Sequence, residues 1–147
     1  MSKSCAEYQT YKPDKILNYN GKVQRYMHLA KNIAFQSPLP DYRHGAVLVR
    51  GGSVINTGTN KLNFCSFGNR FRNKKEGKAT VHAEIAAVLG IERSNTEGAI
   101  IYVARIGKAG AYRLSKPCSM CQAVMKHVGI KRVVYTIDNK TVGSYKI

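Results

Sequence analysis

The side chains best suited to chemistry lie in two short runs, His82-Ala83-Glu84 and Pro117-Cys118-Ser119-Met120-Cys121. Cysteines three apart on a helix share a face and can grip one ion. The same spacing would also serve a redox pair, a disulfide, or half of a four-cysteine zinc clip that Cys5 and Cys65 could complete. Each run follows a loop and opens a predicted helix, and helix N-termini in α/β folds line the crevice where ligands bind. The positive helix end lowers a thiol pKa and so favours the metal-binding thiolate. Adding His82 to Cys118 and Cys121 makes a set of one nitrogen and two sulfurs, a zinc set with the fourth tetrahedral position open to water. Zinc lowers the pKa of such a water toward neutrality. Glu84, two residues past His82, turns away from the direction His82 points. It can stand beside the metal without ligating it, placed to carry a proton.

The elements that must position these residues are legible as hydrophobic patterns. Val23, Tyr26, Met27, Ala30, Ile33 and Ala34 recur at helical spacing, predicting a helix over 21–36 that Pro38 and Pro40 end. Two β-rich runs, 45–50 and 53–60, joined by Gly51-Gly52, predict a hairpin. Thr80 is placed to cap a helix over about 81–91 whose inner face carries Ile85, Val88 and Leu89. The apolar run 99–104 suits a buried strand. A Gly-rich basic loop over about 105–115 follows. Pro117 suits the first position of a helix that Gly129 ends, and 130–136 reads as the last clear strand. The order α-β-β-α-β-α-β predicts one α/β domain over 1–147 with a mixed sheet covered by helices. Residues 1–18 read as an N-terminal arm, 61–79 as a long basic insertion loop, and 137–147 is undecided.

Lys and Arg number 24 against 8 Asp and Glu, a formal charge of +16. Such a field attracts phosphates, whether in nucleotides, nucleic acid or an anionic surface. Arg43, Lys61, Arg70, Arg72, Lys74 and Lys75 are the candidate phosphate or nucleic-acid contacts. Phe64, Phe67 and Phe71 lie among the basic residues of 61–79, where they either form a stacking platform for single strands or cap the core. The absence of a membrane-length apolar run and of a signal-peptide pattern leads us to expect no membrane association and a cytoplasmic, or nuclear, protein. There thiols stay reduced, which favours metal or catalytic roles for Cys118 and Cys121 over a disulfide. His28, His44 and His127 lack comparable context, although His44 stands near the hairpin start and could approach the site.

The ordered pair of motifs, H-A-E and then P-C-S-M-C, resembles the signature of the zinc-dependent cytidine, deoxycytidylate and tRNA-adenosine deaminase superfamily. The similarity spans roughly Tyr26 to Asp138 by element order and motif spacing. The resemblance implies a three-layer α/β/α cytidine-deaminase-like fold whose mixed central sheet opens with an antiparallel hairpin. It implies one catalytic Zn2+ per chain on His82, Cys118 and Cys121, with Glu84 as proton shuttle. It implies that Asn60 contacts the substrate sugar, and that the N–H of Ala83 and the carbonyl of Lys116 orient the base. The implied reaction is hydrolytic deamination, in which zinc hydroxide attacks C4 of a cytosine, or C6 of an adenine, and ammonia leaves. Residues 129–135 resemble the cytidine and deoxycytidylate deaminases and 43–49 the first strand of the deoxycytidylate group, whereas 82–87 and 117–121 look more like the tRNA-adenosine group. The expectation is therefore a cytosine nucleotide or nucleoside. The alternatives are a base within RNA or single-stranded DNA, and a non-catalytic nucleic-acid-binding module on the same scaffold. A homo-oligomer is expected by analogy.

Overall fold

The computed structural model describes residues 12–72 and 79–147. Its elements run β1 (Lys15–Asn18), α1 (Gly21–Ala34), β2 (Arg43–Arg50), β3 (Ser53–Thr59), β4 (Lys61–Phe64), α2 (Ser66–Asn69) and β5 (Thr80–Val81). They continue α3 (Ala83–Val88), α4 (Arg93–Thr96), β6 (Ile100–Ile106), β7 (Tyr112–Arg113), α5 (Ser119–Val128), β8 (Arg132–Thr136) and β9 (Thr141–Lys146). The main sheet has the order β1-β9-β8-β6-β2-β3, with β7 added on β6, while β4 and β5 form a separate ribbon. The β6–β8 pair is parallel, and the other pairs of that sheet are antiparallel.

Alternation along the strands sorts side chains into two layers of core. Val47, Val49, Tyr102, Ala104, Val134 and Val142 meet Val23, Tyr26, Met27 and Ala30 of α1 on one face. Ala46, Leu48, Ile101, Val103, Val133 and Tyr135 meet Ile85 and Val88 of α3 and Met120, Val124 and Met125 of α5 on the other. The result is the expected three-layer α/β/α arrangement. The β2–β3 hairpin turns on Gly51 and Gly52, at φ 59° and 79°, the pairing of left-handed residues that a tight two-residue hairpin requires. Gly129 ends α5 at φ 88°, and the Ile130 N–H returns to the Met125 carbonyl, a Schellman-type stop.

Several expectations need correction. Residues 15–18 are not part of an arm: they pair with β9 at the sheet edge, where Arg132 of β8 also holds Asp14 at 2.7 Å. The stretch 61–79 is not one long loop, because β4 and α2 occupy its first half and Ala79 leads into β5. Thr80 lies in β5, so the cap position of α3 falls to His82, and the helix is shorter than predicted. Leu89, expected inside, is half exposed. Pro117 precedes the helix: Cys118 holds the cap position with an extended backbone at ψ 170°. The undecided tail supplies β9, and four of its strand residues, Val142, Gly143, Ser144 and Tyr145, are buried.

Candidate metal centre and its crevice

Glycine brings α3 to the sheet. At Gly58 of β3, an added Cβ would fall 2.5 Å from the Ala87 nitrogen and 2.7 Å from the Ala83 carbonyl. The helix backbone therefore rests directly on the strand, and Asn56 Nδ2 donates to the Ala87 carbonyl at 3.0 Å. His82 leads into α3 in an extended conformation, and its carbonyl accepts from the Ala86 N–H to close the first turn. On α5 the Cys118 carbonyl does the same for the Gln122 N–H. The buried Gln122 side chain then donates back to the Pro117 carbonyl at 2.8 Å, pinning the loop that presents Cys118.

The two helix starts converge. His82 Nδ1 lies 3.2 Å from Cys121 Sγ and 3.6 Å from Cys118 Sγ. The three donor atoms all fall within 4.8 Å of one another. Ordinary Zn–N and Zn–S bonds at tetrahedral angles place the donors about 3.6–3.8 Å apart, so the group could hold zinc with small adjustments. Burial pushes His82 down to about 4, with the charges of His44 and Arg72 adding to the effect. The imidazole is thus in the neutral form that binds metal. Among the described residues no second group of three such side chains meets. Cys65 is a small buried residue whose Sγ accepts from the Gly68 N–H, while Cys5 lies outside the described residues.

Glu84 is 4% exposed. Burial pushes its carboxyl up to about 7, opposed by hydrogen bonds to its own backbone N–H and to Cys121. A carboxyl that changes protonation near neutrality suits proton transfer. It faces a crevice of about 280 Å³ shared with His82, Cys118, Ala83, Asn60 and Lys116, along with Lys61, His44, Tyr42 and Ser115. Burial lowers the Lys116 pKa, with Lys12 adding to it.

Asn60 lines this crevice, but its amide is engaged. Its Oδ1 accepts from the His44 N–H at 3.0 Å, and its Nδ2 donates to the Tyr42 carbonyl at 2.7 Å. His44 Nδ1 is 2.8 Å from the same carbonyl. A carbonyl only accepts, so the proton sits on Nδ1 and Nε2 is the acceptor of the neutral ring. Together these bonds hold Tyr42 at φ 56°, a left-handed conformation that is uncommon for a bulky residue. Tyr42, His44 and Ser115 are crevice residues that the motifs did not reveal. The only available hint was the place of His44 at the hairpin start.

The other basic candidates scatter. Arg43 lies over the Phe35 ring and donates to the Gly107 carbonyl at 2.8 Å, outside the crevice. Arg70 lies over Phe67, and Arg72 reaches Met120 Sδ at 3.8 Å. Lys74 and Lys75 lie outside the described residues. Phe67 and Phe71 pack edge to face on each other, against the core and beside His127, and only Phe64 of the three is well exposed. This is the core-capping arrangement and not a stacking platform.

Residues 20–137 match the family described as the cytidine and deoxycytidylate deaminase zinc-binding region. Among curated proteins no sequence matches. Among solved structures, the dCMP deaminase of cyanophage S-TIM5 in its apo form is 21% identical, with TM-score 0.55 over 78% of this chain and 81% of that chain. RibD of Acinetobacter baumannii is 21% identical with TM-score 0.51, covering 78% of this chain and 27% of that one. A mutant cytidine deaminase from Mycobacterium tuberculosis is 17% identical with TM-score 0.50 over 82% and 92%. At these identities the likenesses show the fold. The chain belongs to the cytidine and deoxycytidylate deaminase zinc-binding family, and is a zinc-dependent deaminase that hydrolyses a C–N bond.

Proposed function

We propose that the protein deaminates a cytosine nucleotide or nucleoside in the crevice between α3 and α5. The observation that carries this reading is the meeting of the His82, Cys118 and Cys121 donor atoms at a crevice that His82, Cys118 and the buried Glu84 line. When bound, zinc would supply Lewis-acid activation of water at this point. His82, Cys118 and Cys121 would hold it.

Glu84 carries protons. Its burial beside Cys121 favours exchange near neutral pH, and the same burial keeps bulk water from competing. The Ala83 N–H, at the first position of α3, has no earlier turn to bond within the helix. It is available to a base carbonyl, and Lys116, which lines the same crevice, is the residue whose carbonyl would orient an exocyclic amine. Asn60 would meet the sugar through the remaining hydrogen of Nδ2, or indirectly through the Tyr42–His44 segment it holds. The cyanophage enzyme has been solved with dCMP and dUMP, which makes a pyrimidine nucleotide the natural first substrate to try.

The test is ammonia release from dCMP, CMP, cytidine, tRNA and single-stranded DNA, with Glu84→Ala as control. Turnover should fall by about 10²–10⁴-fold in that variant, while zinc content stays near one per chain. Normal turnover by Glu84→Ala would sink the assignment.

A further inference from the structure

One row of the sheet leads out of the crevice. His44 of β2 is in register with Arg105 of β6, and Arg105 is in register with Arg113 of β7. Residues opposite one another on paired strands project to the same face, about 5 Å apart. Arg105 shares the parity of Ile101 and Val103, and His44 that of Ala46 and Leu48, so the row lies on the face that carries α3 and α5. It begins at the crevice wall with His44 and sets two guanidinium groups one and two strands further out.

Arg105 and Arg113 line, with Tyr42 and Lys108, a second concavity of about 430 Å³ that borders the crevice at Tyr42. The Arg105 guanidinium lies 4.3 Å from the Tyr42 ring centre. Its Nε is buried and has no hydrogen-bond partner among the described residues. Arg113 packs closely on Gly107, where a Cβ would come 2.9 Å from Arg113 Nε. Asp41, the acid of this concavity, is 4.0 Å from Lys108 and leaves the two arginines without a counter-ion among the described residues. A half-buried guanidinium with no carboxylate beside it favours an anion at the terminal nitrogens it presents to the concavity. Its planar fork matches phosphate oxygens.

We propose that this concavity is the phosphate subsite of the crevice. Arg105 and Arg113 hold a phosphate ester carried by the substrate, so the substrate is a nucleotide, free or within a single strand, and not a nucleoside. This rests on the deaminase reading above for its link to turnover. None of the basic residues singled out in the sequence takes part.

The experiment compares kcat/KM for deoxycytidine, dCMP and a short single-stranded oligodeoxynucleotide in the zinc-loaded wild type, Arg105→Ala and Arg113→Ala. Each variant should lower the preference for the phosphorylated substrate over deoxycytidine by about tenfold or more, mainly through KM, and Arg105→Lys should recover part of it. Loss confined to dCMP identifies the free nucleotide as the source of the phosphate, and loss on the oligonucleotide identifies the strand. An unchanged preference, or equal loss on all three substrates, overturns the proposal. Calorimetric binding of dUMP and deoxyuridine separates the subsite from the chemistry. If no substrate turns over but dUMP binds more tightly than deoxyuridine, and Arg113→Ala abolishes the difference, the subsite stands and the deaminase reading fails. If dUMP binds no more tightly than deoxyuridine, there is no subsite.

Discussion

Asn60 shows how a single side chain can shape a site without being free to act alone. Both polar atoms of its amide bond to the backbone of residues 42 and 44, and in doing so hold Tyr42 in a left-handed conformation. Asn60→Ala would leave a part-buried N–H and a shared carbonyl short of partners, at a cost of about 1 kcal/mol. The Tyr42–His44 segment should then relax. We expect KM to rise more than kcat falls, because Glu84 and the metal ligands lie on other elements. The check is steady-state kinetics alongside zinc content: a pure kcat loss with unchanged KM would show that Asn60 acts on the chemistry instead. That His82, Cys118 and Cys121 would meet was legible in the sequence, because their types and spacing suit one metal ion. Tyr42 was not, since nothing in its type announces a positive φ imposed by a residue 18 positions away.

The element scale is governed by close approach. Gly58 allows α3 to rest on β3, so Gly58→Ala would drive a methyl group into the helix backbone at Ala83 and Ala87. The neighbours are main-chain atoms, which cannot rotate aside, and overpacking of this kind costs about 1–3 kcal/mol. The displaced element is the one that begins with His82 and Glu84. The variant should therefore lose zinc affinity along with stability, measurable by competition with a chromophoric chelator and by thermal melting. A stable variant with unaltered affinity would show that α3 can shift without moving its first turn. Periodicity read the long helix α1 and the buried strands well, since their patterns repeat over many residues. It missed β1, β4, β5 and β7, which are two to four residues long and too short to show a period. It also overran α3, where the apolar Leu89 continues the pattern beyond the last helical residue.

For the molecule as a whole, the acidic residues are few, and most of those among the described residues are occupied. Asp14 pairs with Arg132, Glu97 with Arg93 and Asp41 with Lys108, Asp138 caps its own turn, and Glu84 is buried. The excess of positive charge on the described residues therefore finds little compensation within the fold, and must look outward for its counter-ions. The metal ligands also have a property of the whole chain. Cys118 and Cys121 remain neighbours in the unfolded polypeptide, but His82 is 36 residues from the first of them and joins them only when α3 and α5 are in place. On the proposed ligand set, the native state would bind zinc with three ligands and the unfolded chain with at most two nearby thiols. By linkage, free zinc concentration becomes a stability variable. Each tenfold rise above the native dissociation constant should add about 1.4 kcal/mol until the thiol pair of the unfolded chain saturates as well. Melting in a series of zinc buffers should trace that slope, and His82→Ala should flatten it. A melting temperature indifferent to zinc would mean that the triad does not hold the ion.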